Sequence, residues 1–173
     1  EINEVIIVSH KEWIGHVKKN YSNCLVVKGG ITRQESVKNG LSQCSDTSIN
    51  ILIHDAARPL VSPEIITNCL RMLESADGVA PIMDSSNSLV EWDGQEATYV
   101  NRNYIKEVQT PQCFSKQVVQ QALKMEIEST DEIGLLLQID PKPIISFISG
   151  SEKNRKITSI DDINIIKSFM SHG

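Results

Sequence analysis

Residues Ile49 to Val61 read INILIHDAARPLV, and this stretch constrains the fold more tightly than any other. An apolar run without polar alternation reads as a strand covered on both faces, the mark of an α/β sheet. It passes straight into Asp55, two alanines and Arg58-Pro59. A helix start follows at once: Ser62 as cap, Pro63 at the first helical position and Glu64 in an acidic first turn. An open α/β sheet takes its ligands just beyond the carboxyl ends of its strands. A carboxylate and a guanidinium emerging there, with methyl-sized side chains between them, leave room for a ligand against the backbone. Asp55 can bind a metal ion or accept hydroxyl hydrogen bonds, and Arg58 can grip a phosphate. The same Asp-x-x-Arg step serves equally well as an ion pair closing a strand end.

The rest of the chain alternates in the same way. Val5–Val8 (VIIV) and Cys24–Val27 read as strands, with Ser9 capping a helix whose apolar face is Trp13, Ile14 and Val17. Gly29-Gly30 permits a tight turn, and Thr32 with Glu35 forms a capping box for a helix reaching Gln43. The free N–H groups of its first turn, with Arg33 and the Ser36 hydroxyl alongside, make either an anion site or an ordinary strand–turn–helix junction. Val79–Met83 is a further strand. Residues 84–106 break the pattern with a hairpin around Asp93-Gly94, read as a dimerisation arm. Beyond it come a short strand over Val108–Phe114 broken at Thr110-Pro111, a helix capped by Ser115 and a helix opened by Thr130-Asp131-Glu132. Pro143–Ser149 is the last strand. Ser159 and Asp162 box the final helix, with a stripe of Ile163, Ile166, Phe169 and Met170. The whole predicts one domain over 1–173, three-layer α/β with a mostly parallel sheet and a protruding β-arm.

Composition narrows the function. With 173 residues and 40% hydrophobic content the chain can bury a substantial core, and a net charge of −5 offers no broad basic surface to nucleic acid. No run reaches membrane-spanning length and no signal peptide is visible. Cys24, Cys44, Cys69 and Cys113 lack metal-type spacing and suit free thiols in the reducing cytoplasm.

Five stretches, GGITRQESVKNGL (29–41), HDAARPLV (54–61), VNRNYIKEVQTPQCF (100–114), TDE (130–132) and NRKIT (154–158), fall in the order and spacing of one family. Together the chain resembles the cytidylyltransferases of the 2-C-methyl-D-erythritol 4-phosphate and ribitol 5-phosphate type. The resemblance implies a Rossmann-like nucleotidyltransferase fold and a cytoplasmic homodimeric enzyme that joins CTP to a polyol phosphate with Mg²⁺, releasing pyrophosphate. It implies that Gly30, Ser36, Asp55 and Ala56 hold the nucleotide. Arg58, Thr110 and Lys156 would hold the polyol phosphate, together with Arg102 and Ser85 from a second subunit's arm; Ser88 is an alternative to Ser85. Gln112 would shape the floor of the site. Lys156, Arg58 and Asp55 would be catalytic, with Asp55 on the metal.

Two departures stand out. The family's glycine-rich first loop has no counterpart here, so the chain as given is expected to be inactive without such a segment. Arg155 stands where an apolar residue is usual and either adds charge beside Lys156 or faces water. The motifs HDAARP, SVKNGL and TDE favour methylerythritol phosphate as substrate. HKEWIGHVKK and NSLVE favour ribitol phosphate, for a surface polymer. A third reading is a non-catalytic dimeric binding module.

Overall fold

The computed structural model describes residues 2–171. Its main sheet is built from β3 (Asn50–Ile53), β4 (Gly78–Asp84), β7 (Lys106–Val108), β8 (Gln112–Ser115) and β9 (Ile145–Ser149). β8 lies between β3 and β4 and is antiparallel to both, β7 continues it antiparallel along the far half of β4, and β9 runs parallel to β4. The expected mostly parallel sheet is therefore corrected to a mixed one. The cause is the connection between the strands. A parallel partner needs a crossover that carries the chain back to the start of β4. Here the arm returns the chain to the end of β4, so the next strand must run the other way.

Two helical layers cover this sheet. Ser62 accepts from the Ile65 N–H to start α3 (Pro63–Leu73), whose Ile65, Cys69 and Leu73 are buried against Val79 and Cys113. On the opposite face, Ser115 caps α4 (Lys116–Lys124) and Asp131 caps α5 (Glu132–Ile139). Val119, Ala122, Leu123, Ile133, Leu135 and Leu136 pack there on Ala80 and Phe114. Consecutive residues 79–80 and 113–114 thus point to opposite layers, as the period of a strand requires.

The amino-terminal elements form their own parallel pair, β1 (Ile6–Ser9) on β2 (Leu25–Lys28), with α1 (Ile14–Asn20) and α2 (Arg33–Leu41) against it. A cavity of about 1160 Å³ lies between β1 and β3, floored by α2 residues Val37 and Leu41. Ser9 ends its strand and does not cap α1, which begins at Trp13 without a side-chain cap, so that expectation is not met. The capping box of Thr32 and Glu35 is present as expected. The carboxy-terminal helix α6 (Ile160–Ser171) buries Ile166 but leaves Ile163 and Met170 exposed, so only part of its expected stripe faces the core.

The arm is a hairpin of β5 (Leu89–Trp92) and β6 (Ala97–Val100) turning at Asp93-Gly94, where Gly94 takes φ 102°. Register pairs Val90 with Tyr99 and Trp92 with Ala97. One face of the ribbon is therefore apolar, with Val90, Trp92 and Tyr99 all more than 60% exposed. No helix among the described residues is long and apolar enough to cross a membrane.

Candidate active site at the carboxyl end of β3

β3 ends by delivering His54 and Asp55. The Asp55 N–H donates to the Thr110 hydroxyl at 3.0 Å, and the His54 ring bridges that hydroxyl (Nδ1, 3.0 Å) and the Arg58 carbonyl (Nε2, 3.0 Å). A carbonyl only accepts, so Nε2 carries the proton, and Nδ1 accepts from the Thr110 hydroxyl. The loop that follows is stitched to a distant segment. The Ile157 N–H donates to the Ala57 carbonyl at 2.8 Å, and Arg58 Nη1 donates to the Asn154 carbonyl at 2.8 Å.

These two bonds carry Lys156 to Asp55. Lys156 Nζ lies 3.0 Å from Asp55 Oδ2, Arg58 Nε lies 3.7 Å from the same oxygen, and Arg33 Nε lies 3.6 Å from Oδ1. Asp55 and Arg58 side chains are 15% and 13% exposed, whereas Lys156 is 43% exposed and free to reorient. Burial pushes the Asp55 carboxyl up. The Lys156 hydrogen bond and the charges of Lys156, Arg33 and Arg58 outweigh it and hold the group below the usual carboxylate range. Burial lowers Arg58, with Asp55 opposing that shift.

Arg33 has a second carboxylate. Its Nη1 and Nη2 donate to Glu132 Oε1 and Oε2 at 2.6 and 2.9 Å, and Glu132 is buried at the start of α5. Burial opposes the charge on Arg33, but Glu132, then Asp55 and Asp131, raise its pKa overall. Arg33, Arg58 and Lys156 face Asp55, Glu132 and Asp131, so the cluster is close to charge-balanced, with Arg33 shared among all three carboxylates. An anion entering here would meet the exposed part of the Lys156 and Arg33 side chains, 43% and 34% accessible, in a protein of net charge −5.

The Gly29-Gly30 turn is a second, more open feature. Gly30 N–H donates to Ser36 Oγ at 3.0 Å, and that hydroxyl donates to the Thr32 carbonyl at 2.9 Å. Glu35 accepts from the N–H groups of Ile31 and Thr32 at 2.6 and 3.3 Å. A Cβ on Gly30 would overlap that of Glu35, so the turn closes only with glycine there. Beside it opens a cavity of about 640 Å³ lined by His10, Lys11, Lys28, Gly30 and Asn39.

Of the residues singled out from sequence, Asp55, Arg58 and Lys156 meet at one point, and Ala56 lies exposed in their loop. Gly30 and Ser36 sit in the neighbouring turn, where the Ser36 hydroxyl is engaged in holding the loop. Thr110 and Gln112 are buried behind the site. The Gln112 amide accepts from the N–H groups of Glu132 and Ile133 and donates to Asp131. Ser85 is buried at the base of the arm, and Arg102 donates there to the Ser86 carbonyl at 2.6 Å. Neither has an ion pair or hydrogen bond to the Asp55 cluster among the described residues. Arg155 pairs with Asp162 at 3.2 Å, half exposed, so its charge is spent on the start of α6.

Sequence reading passed over Asn154 and Gln109. Asn154 is fully buried, its amide donating to Gln109 Oε1 at 3.1 Å and to the Thr110 carbonyl at 2.8 Å. Gln109 in turn donates to the Ser151 carbonyl at 3.0 Å. This amide pair joins the Thr110 and Lys156 segments, and only the proximity of Asn154 to Lys156 in one motif hinted at it. Among the described residues no three metal-ligating side chains cluster. Both Asp55 oxygens already lie against cations, so a divalent ion here would draw most of its oxygens from a bound phosphate.

A mixed α/β sheet bearing a carboxylate ringed by cations at a strand end, beside a helix amino-terminus on a glycine turn, defines a phosphate-handling transferase domain. The family model described as IspD, 2-C-methyl-D-erythritol 4-phosphate cytidylyltransferase, matches residues 1–172, and the chain belongs to that family. It is 34% identical to the 2-C-methyl-D-erythritol 4-phosphate cytidylyltransferase of Prochlorococcus marinus subsp. pastoris, over 98% of this chain and 83% of that protein. It is 34% identical to the bifunctional enzyme IspD/IspF of Aliarcobacter butzleri, over 95% of this chain but 42% of that protein, so it spans less than half of that relative. The solved 4-diphosphocytidyl-2C-methyl-D-erythritol synthase of Anaerococcus prevotii superimposes with a TM-score of 0.91 at 26% identity, covering 98% of this chain and 79% of that one.

Proposed function

We infer that this chain belongs to an enzyme joining CTP to 2-C-methyl-D-erythritol 4-phosphate, giving CDP-methylerythritol and pyrophosphate. The observation that carries the reading is the Asp55 carboxylate held among Lys156, Arg58 and Arg33 in a chain of this family. A phosphate oxygen of the polyol forms a bond to the α-phosphorus of CTP. The bond from that phosphorus to the bridging oxygen breaks, and the electron pair leaves on pyrophosphate. Such a transfer needs position and charge neutralisation rather than a side-chain nucleophile. Arg58, fixed by burial and by the Asn154 carbonyl, suits a standing phosphate contact. Lys156, half exposed and tethered only at Asp55, suits following the charge that develops on the α-phosphate. Asp55 holds both cations in place and can accept from a hydroxyl of the ligand. When bound, Mg²⁺ would neutralise the phosphate oxygens, with Asp55 as its protein carboxylate. The cavity beside Gly30 suits the nucleoside end of CTP.

The arm supports a homodimer in which Arg102, with the exposed Ser88 rather than the buried Ser85, approaches the partner's polyol phosphate. Its face of Val90, Trp92 and Tyr99 stays mostly exposed within the protomer, and a lone two-stranded ribbon is marginal in water. Four free thiols suit a reducing compartment such as the cytoplasm. The test is pyrophosphate release from CTP and Mg²⁺ by the full-length protein, with methylerythritol phosphate and ribitol 5-phosphate supplied separately. Preference for the first is expected. Release with ribitol phosphate alone would reassign the substrate, and release with neither would remove the activity.

A further inference from the structure

We propose that Glu132 is a positioning residue of this site: it holds Arg33 beside Asp55 while preventing Arg33 from capturing it. The inference rests on the reaction assigned above. A guanidinium and a carboxylate prefer to meet fork on fork, through two parallel N–H···O bonds. Arg33 spends that geometry on Glu132, at 2.6 and 2.9 Å, and turns only Nε towards Asp55, at 3.6 Å. That is a charge contact, longer than a hydrogen bond. Asp55 Oδ2 is thereby left to Lys156 at 3.0 Å.

Glu132 cannot itself touch a ligand, because its side chain is 4% exposed and both oxygens are occupied by Arg33. Its place is set from behind. The N–H groups of Glu132 and Ile133 both donate to Gln112 Oε1 at 3.0 Å, and Gln112 pairs with Ile53, two residues before Asp55. The clamp is therefore referenced to the strand that carries Asp55. Asp131, the other acid near Arg33, is taken up in capping α5 and in accepting from Gln112. With the charge of Glu132 removed, Asp55 is the one remaining ion-pair partner of Arg33 among the described residues.

The experiment uses the full-length protein in the pyrophosphate assay, with a crystal structure of the variant as a readout independent of turnover. Glu132→Gln keeps the shape and drops the charge. It should lower kcat roughly ten- to a hundredfold with the KM for CTP unchanged, the loss expected from misplacing a reacting group by about an ångström. Adding Arg33→Met to Glu132→Gln should raise kcat above that of Glu132→Gln alone, because the invading guanidinium is gone. The crystal structure of Glu132→Gln should show the Arg33 fork on Asp55 and Lys156 displaced. If Glu132→Gln does not fold, Glu132→Asp, which draws the charge back by one carbon, should give the same kinetic split to a lesser degree. Unchanged kcat per folded molecule, a double variant no better than the single, or Arg33 still in its original place would each overturn the proposal. Absence of turnover by the unaltered protein with either polyol phosphate would instead remove the reaction, while the position of Arg33 in the variant still decides the clamp.

Discussion

The carboxyl end of β3 and the arm beyond β4 treat their chemistry in opposite ways. Around Asp55 most polar groups already have an intramolecular partner: the backbone through Thr110, the loop through Asn154 and Ile157, and the carboxylate through three cations. On the arm the large side chains face solvent, and the one side-chain bond of Arg102 among the described residues is to the Ser86 carbonyl, in the connection from β4 to β5. The first region is organised before any ligand arrives. The second has the composition of a surface waiting for a partner. Preorganised charge is what a phosphoryl transfer uses, and an unsatisfied apolar ribbon is what a two-fold interface uses.

If that division holds, the largest losses of activity come from the preorganised region. Lys156→Ala and Arg58→Ala should each lower kcat/KM by about 10²–10³, the usual consequence of removing one charge-stabilising donor, with the fold retained by circular dichroism. Arg58→Ala should also loosen the 154–157 segment, which keeps its Ile157–Ala57 and Asn154 side-chain bonds but loses the one to the Asn154 carbonyl, and so raise KM slightly as well as lower kcat. Near-normal turnover in both variants would place the chemistry elsewhere.

Next in size is the glycine turn. Gly30→Ala sets a Cβ onto Glu35, whose carboxylate holds the Ile31 and Thr32 N–H groups, so the capping box must shift. Overpacking of this kind costs about 1–3 kcal/mol, and thermal melting should show it together with a higher KM for CTP. A variant with unaltered Tm and KM would mean the turn relaxes freely.

The arm comes third. Trp92→Asp places a charge in the middle of its apolar face, where Trp92 lies opposite Ala97. Sedimentation should show a shift from dimer to monomer at assay concentration, and the KM for the polyol phosphate should rise while that for CTP stays put. Because Trp92 is exposed in the protomer, the cost to protomer stability should stay within about 0.5 kcal/mol. A protein that is monomeric before the substitution would break the comparison outright.

What could be read beforehand follows the same division. Local signals carried well: Ser62-Pro63-Glu64, the Thr32–Glu35 box and Asp93-Gly94 all do in the structure what their chemistry requires. Asp55, Arg58 and Lys156 were legible because each lies in a motif whose register is fixed by a strand or cap. Sheet direction was not. An apolar run reads alike in parallel and antiparallel settings, and only the return through the arm turns β7 and β8 around. The Glu132 clamp and the Asn154–Gln109 pair were also hidden, since a buried polar contact across ninety-nine or forty-five residues leaves no periodic trace. The expected face of Trp13, Ile14 and Val17 holds in part: Ile14 and Val17 are half-buried against β2, while Trp13 stands at the start of a short helix outside the main sheet and stays 60% exposed.

The smallest effect sharpens the comparison by setting Asp55 against another saturated carboxylate. Asp162 accepts from the N–H and hydroxyl groups of both Thr158 and Ser159, and it pairs with Arg155. The Thr158 N–H, then the two hydroxyls, hold it well below the usual carboxylate range. A carboxylate depressed in the folded state stabilises the protein above its unfolded pKa, about 3.9, and that contribution is lost as pH falls through the lower folded value. Asp162→Asn should therefore lower Tm slightly at neutral pH, with the gap to the unaltered protein closing only well below pH ~4. Turnover at neutral pH should not change, because Asp162 faces the start of α6 and not the cluster. Asp55→Asn should instead cost turnover heavily and also lower Tm, since it deprives three mutually repelling cations of their shared anion while leaving the Thr110 and Asn154 bonds intact. Measured side by side, the two aspartates separate a carboxylate that holds a helix from one that holds a site. Equal effects on Tm and turnover in both variants would show that local saturation alone does not distinguish them.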